Sequence, residues 1–357
     1  MESEQLANVA LLLGCHQIVQ QNAPVDDVEK FIKPIVDWMA RMDHGPPPSL
    51  LTTLRELWRG LVKGRACGWI QMQNLAEHSQ GGDPLHGDLQ VLVPGKIVTM
   101  KGPKELPDGS TSRDVFSGDG ALCHRDFSPR YYLRSLRALN VQAVVRLSRP
   151  EYDADAFRAE GLAFVDLYCE DGACPRPEAV AKFLRVLEAV PGPVAVHSSA
   201  SLGRVGTLAA LYLMRAHGFA AREAIAWLRL VRPGSVVGPQ EQYLMDREAV
   251  MARARSVAGL AAQARNRPSP ARAAGVGSHR GSVSEAADAA ACVAAALGDV
   301  DRRLGALRDA GAGRPELPPP TRARQGSDCQ RAAALAARPG LSAGGHGLRR
   351  VRSSPGE

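Results

Sequence analysis

The run Val194-Ala195-Val196-His197-Ser198-Ser199-Ala200-Ser201-Leu202-Gly203-Arg204-Val205-Gly206 passes from an apolar strand, through a tight Gly/Ser turn, into an apolar helix predicted to start near Thr207. Such a turn aims successive backbone N–H groups and the positive end of a helix dipole at one point, where an oxyanion can sit. Arg204, six residues after Ser198, adds a planar guanidinium fork that matches two phosphate oxygens. Taken without its flanks, the run is also what any Gly-rich strand-to-helix turn looks like.

Outward from this run, strands alternate with helices. Upstream the pattern predicts a helix over 129–139, a buried strand over 143–147, a helix over 153–159, a strand over 163–168 and a long helix over 176–190. Downstream it predicts helices over 207–217 and 220–230, a break at Arg232-Pro233-Gly234, and a last helix from Pro239 to about Ala252. That alternation argues for a parallel-rich sheet covered on both faces, with ligands beyond the strand C-termini, where residues 197–204 fall. Further back, Val91 to Val98 reads as a strand pair around Pro94-Gly95, and residues 104–124 as a surface loop with Asp108-Gly109 and Asp119-Gly120 turns. The N-terminal part is helical: 6–20, then about 24–42 up to the Gly45-Pro46-Pro47-Pro48 break, then 51–63, which ends between Gly64 and Gly68. Residues 76–89 form a polar connector.

Composition divides the chain. From Arg253 onward there are 17 arginines, no lysine and 8 acidic residues, a net charge of +9, whereas 27 basic residues face 29 acidic ones before it. Nearly all aromatic residues lie before residue 250, so the Ala/Arg/Gly/Pro/Ser-rich tail is expected to be disordered. One stretch of it, 284–310, places Leu297, Val300, Leu304 and Leu307 at 3-4-3 spacing, the pattern of an amphipathic helix for a partner or a dimer. Seven cysteines without a CxxC pair or a His/Cys ligand cluster fit reduced thiols of the cytoplasm or nucleus, with no metal and no cofactor expected. The acidic opening Met1-Glu2-Ser3-Glu4-Gln5 is unlike a signal peptide, and no apolar run approaches membrane-spanning length, so a soluble protein is expected.

The pattern H-C-x-x-x-x-x-R-[ST]-G belongs to cysteine-dependent protein phosphatases, and residues 197–206 follow it except that Ser198 stands at the nucleophile. The residue types have a reason. A thiol of pKa about 8.5 is pulled down several units by loop N–H groups, a helix dipole and neighbouring cations. The thiolate attacks phosphorus, an arginine binds the equatorial oxygens, and a carboxylic acid from another loop protonates the leaving oxygen. A serine hydroxyl is far less acidic, and the sequence shows no base to activate it.

The flanks carry a more specific likeness. The run AVHSSASLGRVGTLAALYLM followed by EAIAWLRLVRPGSVVGPQEQYL is similar to the mitotic-exit dual-specificity phosphatases of the cell-division-cycle-fourteen type. So are LRALNVQAVVRLSRPEYDADAFRAEGLAFVDLYCEDGACP upstream and, further back, LANVALLLGCHQIV, RGLVKGRACGW and LHGDLQVLVPGKIV. The likeness covers roughly residues 6–250 and leaves the tail unmatched. It implies an α/β architecture of two tandem phosphatase-like domains: a reduced, mostly helical, non-catalytic first domain with its linker over 1–86, and a catalytic-type domain over 87–252. The tail occupies 253–357. The first domain begins abruptly, as if its first strand were missing.

On the resemblance, Arg204 is the phosphate-binding arginine, and Ser199, Ala200, Ser201, Leu202, Gly203 and Arg204 form the backbone cradle. Asp171 is the general acid, and Gln240 helps to place the hydrolytic water. Read alone, Asp171 is a solvated turn aspartate and Gln240 a polar residue at a helix N-terminus. The departures are Ser198 for cysteine, Val205 for a Thr/Ser hydroxyl that eases the second step, Ser201 for glycine and Ser199 for lysine. If position 201 needs φ > 0, serine strains the loop by about 1 kcal/mol or more. Cys169 and Cys174 lie on the acid loop, off the cradle, and read as incidental thiols. The family reads phosphoserine-proline with a nearby basic residue through an acidic linker groove, but Trp69 to Leu89 holds only Glu77, Asp83 and Asp88.

The expectation is therefore a phosphoprotein-binding pseudophosphatase. Two alternatives stand beside it: a weakly active dual-specificity phosphatase, and a structural protein with a collapsed loop. The expected partner is a phosphorylated protein, with Ser-Pro sites as candidates; no membrane is expected, and the basic tail offers at most nonspecific, salt-sensitive contact with nucleic acid. Ser269-Pro270-Ala271-Arg272 resembles a cyclin-dependent kinase site, a pattern that also arises by chance in such a tail.

Overall fold

The computed structural model describes residues 3–41, 49–70, 83–199 and 202–265. Three helices come first: α1 (Ser3–Gln21), α2 (Val25–Met39) and α3 (Leu50–Ala66). They enclose a small core of their own around Ile18, Ile32, Leu54 and Trp58. No strand occurs among the described residues before Gln90.

Five strands then form one sheet in the order β1-β2-β7-β5-β6. They are β1 (Gln90–Val93), β2 (Ile97–Lys101), β5 (Ala143–Arg146), β6 (Ala163–Asp166) and β7 (Val194–Ser198). β1 and β2 pair antiparallel through the Pro94-Gly95 turn, while β2, β7, β5 and β6 run parallel. β7 lies centrally and all five of its residues are buried, as a near-continuous apolar strand covered on both faces must be.

Side-chain alternation on β7 assigns the two faces. Val194 and Val196 enter the larger core, shared with α6 (Pro177–Ala189), α7 (Gly203–His217), α8 (Ala221–Val231) and the start of α9 (Pro239–Arg265). Ala195 enters the smaller core, shared with α4 (Pro129–Ala138) and Phe157 of the short α5 (Asp155–Arg158). α3 crosses α8 at close range. A side chain at Gly60 would meet the Trp227 backbone nitrogen at 2.7 Å, and one at Gly64 would enter the Trp227 ring. The Trp227 indole donates to the Leu92 carbonyl at 2.9 Å, tying that contact to β1. The helical layer and the sheet belong to one compact unit.

Three expectations change. Residues 104–124 are not simply loop: β3 (Ser112–Phe116) and β4 (Leu122–Phe127) form a two-stranded sheet. Its tip, Asp114–Arg125, is a small separate unit held by Arg125 to Asp114 at 2.5 and 3.0 Å. β3 buries neither face fully, so its sequence carries no apolar alternation to read. α7 begins at Gly203 rather than near Thr207, so Arg204 belongs to the first helical turn. Its glycines permit close packing instead of a turn: side chains at Gly203 and Gly206 would press on Gln240 and on the Val236 backbone. The last helix runs on to Arg265. The Gly45–Pro48 break, most of the connector, the tail beyond 265 and its 284–310 segment lie outside the described residues.

Candidate active site

β7 ends on His197 and Ser198, both fully buried, and alternation sends them to opposite faces of the sheet. His197 goes with Ala195 to the smaller core, where Nε2 lies 2.7 Å from the Tyr152 hydroxyl. Burial, with Arg146 and Arg204 nearby, lowers its pKa to about 3, so the ring is neutral. The Tyr152 phenol, pushed up by burial, keeps its proton and donates to Nε2. The remaining ring proton is thereby assigned to Nδ1, which has no hydrogen-bond partner among the described residues.

Tyr152 is itself held. Arg146 donates from Nη1 to the Tyr152 carbonyl at 2.8 Å, places its guanidinium 4.8 Å from the ring centre, and grips Asp166 through Nε and Nη2 at 2.6 and 2.9 Å.

Arg204 is buried in the first turn of α7. Nη1 donates to the Cys169 carbonyl at 3.1 Å, and Nη2 donates to the Ser199 hydroxyl at 2.7 Å. The same Nη2 lies 3.2 Å from Oδ1 of Asp171, whose side chain is 72% exposed. The carboxylate thus sits where an anionic ligand of the fork would be drawn, on a side open to solvent.

Gln240 is buried at the start of α9. Its Oε1 accepts from the Val237 N–H at 3.1 Å, and its Nε2 donates to the Ala173 carbonyl at 3.4 Å. One helical turn on, Tyr243 donates to the Pro175 carbonyl at 2.8 Å. The loop carrying Asp171 is therefore tied to Arg204 at its start and to α9 at its end.

Ser198, Ser199, Leu202, Gly203, Arg204, Asp171 and Gln240 converge on the C-terminal edge of the sheet. Ala200 and Ser201 lie outside the described residues. Val205 is wholly buried among apolar neighbours and has only methyl groups to offer. The Thr207 hydroxyl bonds back to the Gly203 carbonyl at 2.8 Å, inside its own helix. Cys169 and Cys174 have their thiol pKa values raised, chiefly by burial, the reverse of an activated nucleophile.

Sequence reading did not anticipate the Tyr152–His197 bond or the buried pair in which Arg232 holds Asp88. Arg232 also donates to Thr99 at 3.2 Å. Two of the three connector acids are thus internally engaged: Asp88 by Arg232, and Asp83 by the Leu85 N–H at 2.8 Å and by His86. Glu77 lies outside the described residues. The only sequence signals were the Arg232-Pro233-Gly234 break and an acid at 88, neither of which names its partner.

Residues 129–268 match a family model described as PTP-SAK, a Swiss Army Knife protein, DSP-PTPase phosphatase domain. The Tyrosine-protein phosphatase cdc-14 of Caenorhabditis elegans is 34% identical over 246 residues, which cover 68% of this chain and 33% of that protein. The Dual specificity protein phosphatase CDC14B of Mus musculus is 32% identical over 251 residues, covering 69% and 50%. The Tyrosine-protein phosphatase CDC14 of Candida albicans is 31% identical over 248 residues, covering 68% and 43%. The chain spans a third to a half of the length of these curated relatives. The parallel sheet and the matched domain together give a mixed α/β fold of the protein-tyrosine-phosphatase type.

Proposed function

The chain is a homologue of the CDC14 dual-specificity protein phosphatases, and from that relationship we propose that it is a pseudophosphatase, binding phosphorylated protein without hydrolysing it. One observation carries the reading. Ser198, not cysteine, ends β7, while six residues on the Arg204 guanidinium is buried and held in place by the Cys169 carbonyl.

The chemistry follows from those two positions. In such a site the anion is bound by the backbone N–H groups of residues 199–204, the N-terminal end of α7 and the Arg204 fork, none of which needs a thiol. Attack on phosphorus does need one, because the same positive field that makes a thiolate at neutral pH leaves an alcohol protonated. His197 offers no remedy: its ring faces the opposite side of the sheet and its Nε2 is taken by Tyr152. Asp171 then serves as a ligand-responsive carboxylate, displaced from Arg204 when phosphate arrives. Gln240 serves as a brace for the acid loop more than as a holder of water. The absence of an activating hydroxyl at Val205 agrees with lost turnover.

The bound group on this reading is a phosphoserine followed by proline, presented by a protein of the cytoplasm or nucleus. A preference for a nearby basic residue loses support, because Asp88 is committed to Arg232. Helices α1–α3 stand for a reduced first domain over 1–86, and residues 87–252 for the catalytic-type domain.

Calorimetry with a phosphoserine-proline peptide and with tungstate tests the grip, and phosphate release tests the chemistry. The protein should bind both ligands and release no phosphate. Arg204→Met should bind about 30-fold more weakly, since charge-assisted hydrogen bonds contribute about 2 kcal/mol. Ser198→Cys should release phosphate. Absence of binding together with an inactive Ser198→Cys would favour a purely structural role, and release by the unaltered chain would favour an enzyme.

A further inference from the structure

α1 is apolar on every side, a pattern that belongs to helices covered all round. Its inner side is covered: Ala10 and Ile18 are buried, Gly14 abuts the Trp58 ring, and the Trp58 indole donates to the Leu11 carbonyl at 3.3 Å. Its outer side is not. Leu12 is 67% exposed, with Val9 and Leu13 beside it, one turn of bare aliphatic surface. On α2, Phe31 and Trp38 are each about half exposed, and with Pro34 they follow the i, i+3, i+7 spacing of a single stripe. Single exposed apolar residues need no explanation, but grouped stripes of this size mark a contact surface.

The same chain carries an unused complement. Leu297, Val300, Leu304 and Leu307 form a narrow apolar seam, and Val293 extends it one turn earlier at the same heptad spacing. This segment lies outside the described residues. The chain reaches it from the right side of the fold. In α9, Met245, Glu248, Ala249 and Ala252 line one cavity with Glu56 and Arg59 of α3, the helix that packs on α1. From Arg265 some 30 residues lead to the seam, a reach of roughly 100 Å at full extension. A tether of that length gives the segment an effective concentration in the millimolar range, far above that of a second copy in dilute solution.

We propose that residues 293–307 of this chain pack their apolar seam onto the outward residues of α1 and α2, over Leu12, Phe31 and Trp38. The tail's amphipathic segment then completes the helical layer, as a fourth helix supplied from the far end of the sequence.

Hydrogen–deuterium exchange on the full chain tests this. In a Leu297→Asp/Leu304→Asp variant, which alters nothing in the sheet, the amides of α1 and α2 should exchange about tenfold faster. Reciprocally, Leu12→Ser/Trp38→Ser should speed exchange over residues 293–307 by a similar factor. Both variants and the unaltered chain should sediment as monomers, with protection independent of protein concentration. Unchanged exchange in α1 and α2 on loss of the tail leucines would overturn the proposal. So would protection that grows with protein concentration, which would seat a second copy on the face instead.

Discussion

At the sheet edge Gly203 brings the first turn of α7 against the Gln240 amide, and at the helical seam Gly60 and Gly64 bring α3 against the backbone and ring of Trp227. Both contacts depend on a missing side chain, yet they hold different things. Around Arg204 the ties are polar and reciprocal: the Cys169 carbonyl, the Ser199 hydroxyl and Asp171 share one guanidinium, and Gln240 fastens the far end of the same loop. None of these printed ties runs through a sulfur at position 198. A site organised this way can exchange its nucleophile and keep its shape. The seam has no such latitude, because its energy is packing and any added atom must displace a backbone or an indole.

The contrast can be broken or sharpened in order of expected effect. Removing one partner of a buried charge pair is the largest test. Arg232→Leu leaves Asp88 buried without its cation, at a carboxyl whose pKa burial already raises. Urea unfolding should show a loss of about 3–5 kcal/mol. Next is the seam itself: Gly60→Val places methyl groups against the Trp227 nitrogen, the Ala226 side chain and the Glu223 carbonyl. It should cost about 3 kcal/mol in the same assay, and the Trp227 fluorescence should shift as α3 lifts away.

A smaller, pH-dependent effect belongs to His197. Its folded pKa of about 3 lies below the unfolded value near 6.5, so between these values the unfolded chain binds a proton that the folded chain refuses. Stability from this group is complete above pH 6.5 and falls by about 1.4 kcal/mol per pH unit as pH drops toward 3. Unfolding midpoints across that window should slope accordingly, and a His197→Asn variant should flatten the slope. The smallest effect is at Asp171, whose carboxylate is mostly in solvent. Asp171→Asn should change stability by less than about 0.5 kcal/mol. In a Ser198→Cys background the same change should slow phosphate release without weakening peptide binding.

Much of the fold was legible because the chain follows local rules where the core is built. The apolar run at 143–147, the strand at 194–197 and the helix at 176–190 each sit within a residue or two of β5, β7 and α6. The strand Ser112–Phe116 was not legible, since half-exposed residues leave no period to detect. The early start of α7 was missed because Gly203 and Gly206 resemble turn residues. Only their neighbours, Gln240 and Val236, reveal that they serve close approach within a helix. At the site, the stretch 198–204 and its arginine could be read from spacing and Asp171 and Gln240 only through a family likeness, for they come from distant segments. Tyr152 could not be read at all. Its role depends on a loop after β5 folding back over His197, a tertiary event with no sequence signature.

The account rests on a cleft that still holds a dianion and no longer turns it over. A single vessel holding the protein and a phosphoserine-proline peptide, with bound peptide followed by anisotropy and free phosphate by a coupled assay, examines both halves together. The account predicts saturable binding with phosphate release no faster than in a Ser198→Ala control. Phosphate release that depends on Ser198, or no binding at any peptide concentration, would contradict it.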